Sequence, residues 1–458
     1  MKKLISMHTI ILALWLMFTT SCAKDDPIVI NPPVDKDTIE YYGTPFDKVP
    51  ETSDIVMYEV NLRSFSNEGT FNGVSRRLDS ISALGVNVIW LMPIYPIGKL
   101  KGVGSPYAIS DYLSVNPEFG TLSDLRALVD KAHELDMAVI LDWVANHTAW
   151  DHEWILNEGW YTKDDNGNIV SPNGWNDVAD LNFGNADMQE AMIEAMKHWV
   201  YTANIDGFRC DYTDGVPVDF WKKALDELNK IPDRELIFFA EGTRVQNYQA
   251  GFELNFGWNF YGSLKGIFNE NKSVSQIYTA HTNDYQPIPA GSHMLHFITN
   301  HDDNAWDDTP DKIFQSQEGA MAAFVLSAYV GGVPLIYNGQ EIGYPYKLSF
   351  FTKTPINWNL NPEIKEVYKK VIAIRNTGEA VKKGALVSYK NSNDVAAFER
   401  ISGTEEVLVL VNVRNKTVDY QLPAEIANTN WTNQMNQASL PLETKLQLAP
   451  FEFLILKK

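Results

Sequence analysis

Residues 121–144 read TLSDLRALVDKAHELDMAVILDWV, and they carry two structural periods back to back. Thr121 and Asp124 have the spacing of a helix capping box, and Leu125, Leu128, Val129 and Ala132 then recur on one helical face. Ala138-Val139-Ile140-Leu141-Asp142-Trp143 follows as a nearly unbroken apolar run, the pattern of a strand buried on both faces. A helix that feeds such a strand is half of a parallel-sheet unit.

Working outward, comparable apolar runs stand at 55–60, 86–91, 205–211, 236–240, 294–299 and 334–337, with a weaker one at 252–256. Segments of helical period separate them. Eight βα units in one domain point to a closed (β/α)8 TIM barrel rather than an open sheet. The alternation lapses at 147–185 into Trp, Asn, Asp and Gly, which predicts a short inserted domain after the third strand. From about Gly384 only strand and turn patterns remain, best at 407–413 and 451–456, so a small all-β domain follows the barrel. The expected divisions are 51–380 for the barrel, with 147–185 inside it, and 381–458 for a C-terminal β-sandwich.

The first residues read differently. Lys2 and Lys3 precede an apolar stretch at 10–18, and Thr19-Thr20-Ser21-Cys22 follows. This predicts an export signal over 1–22 whose Ser-Cys ending resembles a bacterial lipoprotein signal, with Cys22 the lipidated residue. Residues 23–50, broken by Pro27, Pro32 and Pro33, read as a tether. Lys24-Asp25-Asp26 resembles the acidic export tags of some surface lipoproteins. The expected location is therefore outside the cytoplasm, on a membrane through a lipid anchor alone, either periplasmic or at the cell surface. Cys210, the only other cysteine, falls inside an apolar run and reads as a buried, inert thiol.

Composition narrows the partners. The formal charge is −20, from 38 Lys and Arg against 58 Asp and Glu. That balance opposes nucleic acid and anionic headgroups but is indifferent to a neutral ligand. Thirteen Trp and 20 Tyr supply flat faces of the kind that stack on sugar rings, although most aromatics serve the core.

In a barrel the chemistry sits at the C-terminal ends of the strands. Those ends supply Asp142, Asn146 and His147 (third), Arg209 and Asp211 (fourth), Glu241 (fifth), and Asn300, His301 and Asp302 (seventh). One acid at such a place is often only a solvated loop residue. Three on three strands, each near an Arg or His, suit glycoside hydrolysis by paired carboxylates. A metal-centred hydrolase is the rival, weakened by the lack of closely spaced His ligands.

These four segments resemble the signature regions of glycoside hydrolase family 13, the α-amylase family. The likeness extends to 85–93, to Tyr107-x-x-x-Asp111-Tyr112, to Ala179-Asp180-Leu181-Asn182 and to 332–341, all in order. It implies Asp211 as nucleophile, Glu241 as acid and base, and Asp302 as the carboxylate that stabilises the transition state. It implies Tyr107, His147, Arg209 and His301 as substrate-binding residues. Arg209 is expected to keep Asp211 ionised, and burial behind Phe238, Phe239 and Ala240 to raise Glu241. The implied substrate is an α-1,4-linked glucan or maltooligosaccharide, cleaved with retention; transglycosylation or exo action is the alternative within the family. A non-catalytic starch-binding lipoprotein is the alternative from another class, disfavoured by three intact acids. Where the family carries Lys-His after the nucleophile, this chain has Asp214-Gly215. The resemblance implies calcium on Asn146 and Asp180, with Asp214 able to offer a carboxylate in place of the family's backbone oxygen.

Overall fold

A computed structural model describes residues 41–458. The expected signal, Cys22 and most of the expected tether lie outside the described residues. Strands β1 (Met57–Val60), β2 (Val88–Leu91) and β3 (Ala138–Trp143) open the barrel. A short antiparallel ribbon, β4 (His147–Ala149) and β5 (Val178–Asp180), interrupts it, and β6 (Gly207–Cys210), β7 (Ile237–Ala240), β8 (Leu254–Phe256), β9 (His293–His296) and β10 (Val333–Tyr337) complete it. All eight barrel strands are parallel, and the barrel closes in the order β1-β10-β9-β8-β7-β6-β3-β2. The weak run at 252–256 is therefore a true barrel strand.

The helix Leu122–Glu134 begins with the expected capping box, Thr121 and Asp124 each satisfying the other's backbone. Its Leu125, Leu128, Val129 and Ala132 are the buried face, and β3 is buried along its whole length. The seventh strand is the clearest departure. It ends at His296 rather than residue 299, because Asn300 leaves the sheet to cap the helix His301–Trp306. Its side chain accepts from the Asp303 amide at 2.8 Å.

The expected tether extends too far. Residues 41–50 lie on the barrel: Tyr42 donates to Asp130, Phe46 stacks on His133 with centroids 4.4 Å apart, and Asn204 donates to the Thr44 carbonyl. Aromatic side chains among the prolines and charges give this segment something to bury.

The C-terminal part holds β11 (Ala385–Tyr389), β12 (Val395–Ser402), β13 (Glu405–Asn412), β14 (Val418–Gln421), β15 (Thr429–Asn433), β16 (Ala438–Leu442), β17 (Lys445–Leu448) and β18 (Phe453–Lys457). Six of them form one sheet, and β14 and β17 pair separately. Strand alternation divides β13 between two cores. Val407, Val409 and Val411 join the barrel's core, whereas Leu408 and Leu410 pack with Tyr420, Leu448 and Trp431 inside the C-terminal part. Among the described residues no helix is long and apolar enough to cross a membrane.

Candidate active site

The parallel ladder runs one residue beyond the strands and fixes the acids by their backbones. Asp211 N donates to the Trp143 carbonyl at 2.8 Å, and Glu241 N to that of Cys210 at 2.9 Å. Asp142 and Arg209 are direct register partners on β3 and β6. Side chains at these positions point into the mouth of the barrel, so four residues from three neighbouring strands meet there.

Arg209 is their hub and is fully buried. Its Nη1 donates to Asp142 Oδ1 at 2.7 Å and to Asp211 Oδ1 at 2.9 Å. Nη2 lies 2.9 Å from Glu241 Oε1, yet off the N–H direction, so that contact is an ion pair without a formed hydrogen bond. The Trp90 ring faces the guanidinium at 5.1 Å, and its Nε1 donates to Asp142 Oδ2 at 3.2 Å.

A second cation stands opposite. His301 pairs through Nδ1 with Glu59 Oε1 at 2.5 Å. Its Nε2 lies 2.7 Å from the Tyr107 hydroxyl, which donates onward to Asp142 Oδ2, and 3.5 Å from Asp302 Oδ2. Burial alone would pull His301 down, but the Asp302 and Glu59 carboxylates overcome it and push it up to about 9. Tyr107 lies nearly parallel to that imidazole, centroids 5.5 Å apart.

Protonation follows from crowding. Burial pushes Asp211 up to about 6, against the pull of Arg209. The Arg209 ion pair opposes that rise, and desolvation with the neighbouring carboxylates outweighs it. Glu241 goes higher, to about 7, through burial and then the charges of Asp211 and Asp302, as its apolar surroundings suggested. The Tyr212 amide donates to its other oxygen, Oε2, at 2.7 Å.

Asp211, Glu241, Asp302, Tyr107, His147 and His301 all line one open cleft of about 480 Å³. A wider opening of about 780 Å³ lies at the other end of the barrel, beside Glu51, Glu235, Glu253, Arg234 and His293, and none of the acids from the C-terminal strand ends lines it. His147 is buried and pushed down to about 4, hence neutral near pH 7. Arg209 alone of the expected binding residues stays behind the acids rather than on the cleft surface.

Sequence reading missed Glu59, Trp90, Tyr212, Trp175 and Trp306. Glu59 carried the same signal as Asp142, an acid inside a buried strand. Trp90 lies inside the apolar run of β2, and Tyr212, Trp175 and Trp306 come from separate segments that carried no such signal.

Calcium requires about six to eight oxygen ligands. Strand pairing sets His147 opposite Asp180, and the Leu181 amide donates to the Asn146 carbonyl, so Asn146 and Asp180 belong to one neighbourhood. Asp214 is spent elsewhere: its carboxylate accepts from the Thr243 amide and from Asn247 Nδ2, and lies 3.5 Å from Arg244 Nε. Among the described residues no group of three or more His, Cys, Asp or Glu is arranged to hold a metal. Asn146 and Asp180 supply one amide oxygen and one carboxylate, short of that number by themselves.

The family described as alpha amylase, catalytic domain, matches residues 42–168 and 156–373, and that described as maltogenic amylase, C-terminal domain, matches 385–455. Alpha-amylase 2 of Dictyoglomus thermophilum is 26% identical over 416 residues, covering 84% of this chain and 70% of that protein. Two solved structures superpose with TM-scores of 0.80 over 89% of this chain and 99% of theirs. They are an alpha-amylase from Lactobacillus plantarum, 26% identical, and a noncanonic maltogenic alpha-amylase from Thermotoga neapolitana, 27% identical. With its barrel, its C-terminal sheets and its carboxylate cleft, the chain belongs to glycoside hydrolase family 13, the α-amylase family. It is an α-amylase-type glycoside hydrolase.

Proposed function

We propose that this enzyme cleaves α-1,4-glucosidic bonds in starch-type glucans or maltooligosaccharides by double displacement. The carrying observation is the set of three acids around one cleft, two of them joined to Arg209 and one, Glu241, held most strongly protonated. Glu241 gives its proton to the leaving glycosidic oxygen while Asp211 attacks the anomeric carbon and forms a glycosyl ester. The ionised Glu241 then takes a proton from water, which attacks the same carbon and frees Asp211, so the configuration is retained. Asp302, exposed beside His301, grips sugar hydroxyls and offsets charge in the oxocarbenium-like transition state. Tyr107 and His301 present flat faces to that sugar.

Reducing-sugar release from soluble starch tests this. Asp211→Asn and Glu241→Gln, each shown folded by circular dichroism, should each lose activity on the order of 10³-fold or more. Near wild-type turnover by either would overturn the assignment.

The reading extends to location. The Lys2–Cys22 segment supports export with lipidation at Cys22, which would hold the enzyme on a membrane by acyl chains alone.

A further inference from the structure

Glu59 sits within β1, fully buried, with Trp90 of β2 and Tyr337 of β10 as its register partners. An ionised group in such a place is costly unless it is paired. Its Oε1 meets His301 Nδ1 at 2.5 Å, and its Oε2 is buried without a hydrogen-bond partner. Among the described residues its only ion-pair contact is His301. Neither step of the double displacement uses Glu59, so its place needs another reason.

The hydrogen bonds around His301 fix where its protons are. The Tyr107 hydroxyl has one hydrogen and two polar neighbours, Asp142 Oδ2 at 3.2 Å and His301 Nε2 at 2.7 Å. Asp142 is paired with Arg209 and also accepts from Trp90 Nε1, so it is a carboxylate that receives the Tyr107 hydrogen. His301 Nε2 must then donate to the Tyr107 oxygen. At Nδ1 the neighbour is the Glu59 carboxylate, which when ionised only accepts. Both ring nitrogens are donors, and only an imidazolium allows that. The charges that face the ring agree. Burial pulls His301 down, yet Asp302 beside it and Glu59 from β1 carry it up to about 9, against Arg209 from β6. Trp90 and Phe350 complete its surroundings with uncharged rings.

We propose that Glu59 is a positioning residue for the reaction: it holds His301 as an imidazolium whose Nε2 hydrogen faces the cleft beside Asp302. An imidazolium alone would oppose the positive charge that grows on the anomeric carbon. Paired with Glu59 it forms a unit with no net charge, so the cleft gains a strong donor without a repelling cation. The donors also run one way, from His301 through Tyr107 to Asp142, which fixes the Tyr107 hydroxyl as well. A neutral imidazole has a bare nitrogen and lets that chain reverse: Tyr107 could turn its hydrogen to Nε2 and leave Asp142. The role in turnover rests on the proposed glucan hydrolysis; the held proton does not.

Nitrogen NMR of the enzyme carrying isotope-labelled histidine reads these protons directly, His301 being assigned by the signals lost in His301→Gln. At about pH 7.5, where an ordinary imidazole is mostly neutral, wild-type His301 should carry hydrogen on both nitrogens. Glu59→Gln, which has nearly the same shape and no charge, should lose one of them, and Glu59→Asp, which keeps the carboxylate, should retain both. On maltoheptaose Glu59→Gln should lose roughly tenfold to a hundredfold in kcat with a smaller change in KM, and Glu59→Asp should recover part of that loss. A wild-type His301 with one bare nitrogen at that pH would overturn the proposal without any variant. So would a folded Glu59→Gln that keeps both hydrogens, or one that keeps wild-type kcat. If wild type shows both hydrogens yet leaves maltoheptaose uncleaved, the reading of the substrate fails and the held proton stands.

Discussion

Five carboxyl groups, Glu59, Asp142, Asp211, Glu241 and Asp302, crowd around two cations, Arg209 and His301, at the mouth of the barrel. With negative charge in excess and little water, protonation must relieve it. Glu241 retains a proton most readily, at about 7, and Asp211 and Asp142 follow together at about 6. Catalysis needs Asp211 ionised, so kcat/KM should fall below about pH 6. It also needs Glu241 protonated, so kcat/KM should fall again above about pH 7. These two limbs belong to the coupled group rather than to single residues. The expected profile is a narrow bell, measured on maltoheptaose. Activity still climbing through pH 8 would contradict this protonation order. Asp211 and Glu241 were legible in the sequence because each follows directly on an apolar run, and Asp302 because it stands with Asn300 and His301 just past one. Glu59 was not, since Val60 carries the same run onward and an interior acid reads as a local exception. Its buried pairing with His301 gives that exception its reason.

Among the elements, the loops after β6 and β7 are held together by side chains. Arg244 donates to the carbonyls of Thr213 and Val216 at 2.7 Å and of Asp214 at 3.2 Å, and to Asn247 Oδ1 at 2.8 Å. Asp214 returns the tie to the Thr243 amide. A guanidinium thus satisfies backbone oxygens in the loop that carries Tyr212 and Gly215. Excess chelator should leave the thermal melting curve unchanged, and Arg244→Ala should lower it by a few degrees, because freed carbonyls would lose their partners. A drop in melting temperature with chelator, reversed by added calcium, would show that an ion and not this clamp secures the loops. The sequence disclosed the departure at Asp214-Gly215 but not its meaning. Arg244 lies in a different βα unit, and periodicity carries no information about which loops touch. The same limit hid the pairing of Trp175 with Tyr212. It also put the end of the seventh strand at 299, where Phe297 and Ile298 extend the apolar run after the sheet has stopped pairing.

Residues 41–458 form a barrel backed by sheets that share its core. Arg414 donates to the carbonyls of Ile267 and Lys272, Arg400 to that of Val330, and the Tyr278 hydroxyl to that of Ala397. These ties and the valines of β13 join the C-terminal strands to the helical side of the barrel, away from the cleft. The eight-strand count and the all-β ending were legible because periods of 3.6 and 2 are local properties of a sequence. The seating of residues 41–50 on the barrel was not, because composition measures solubility and not contact. At the same scale, Cys22→Ala should move the enzyme from the membrane to the soluble fraction of disrupted cells. Equal membrane retention would rule out lipid at Cys22 as the anchor.

The central claim is that Asp211 forms a covalent bond to the sugar while Glu241 handles protons. In Glu241→Gln an activated substrate such as maltosyl fluoride, whose leaving group needs no proton, should still glycosylate the enzyme. Hydrolysis of the ester, which lacks its base, should then be slow. Mass spectrometry of the acid-quenched, digested protein reads the site directly. The expected result is a mass gain of one maltosyl group on the peptide that contains Asp211, absent from Asp211→Asn. Fluoride release without any adduct, or an adduct on a peptide lacking Asp211, would contradict the account.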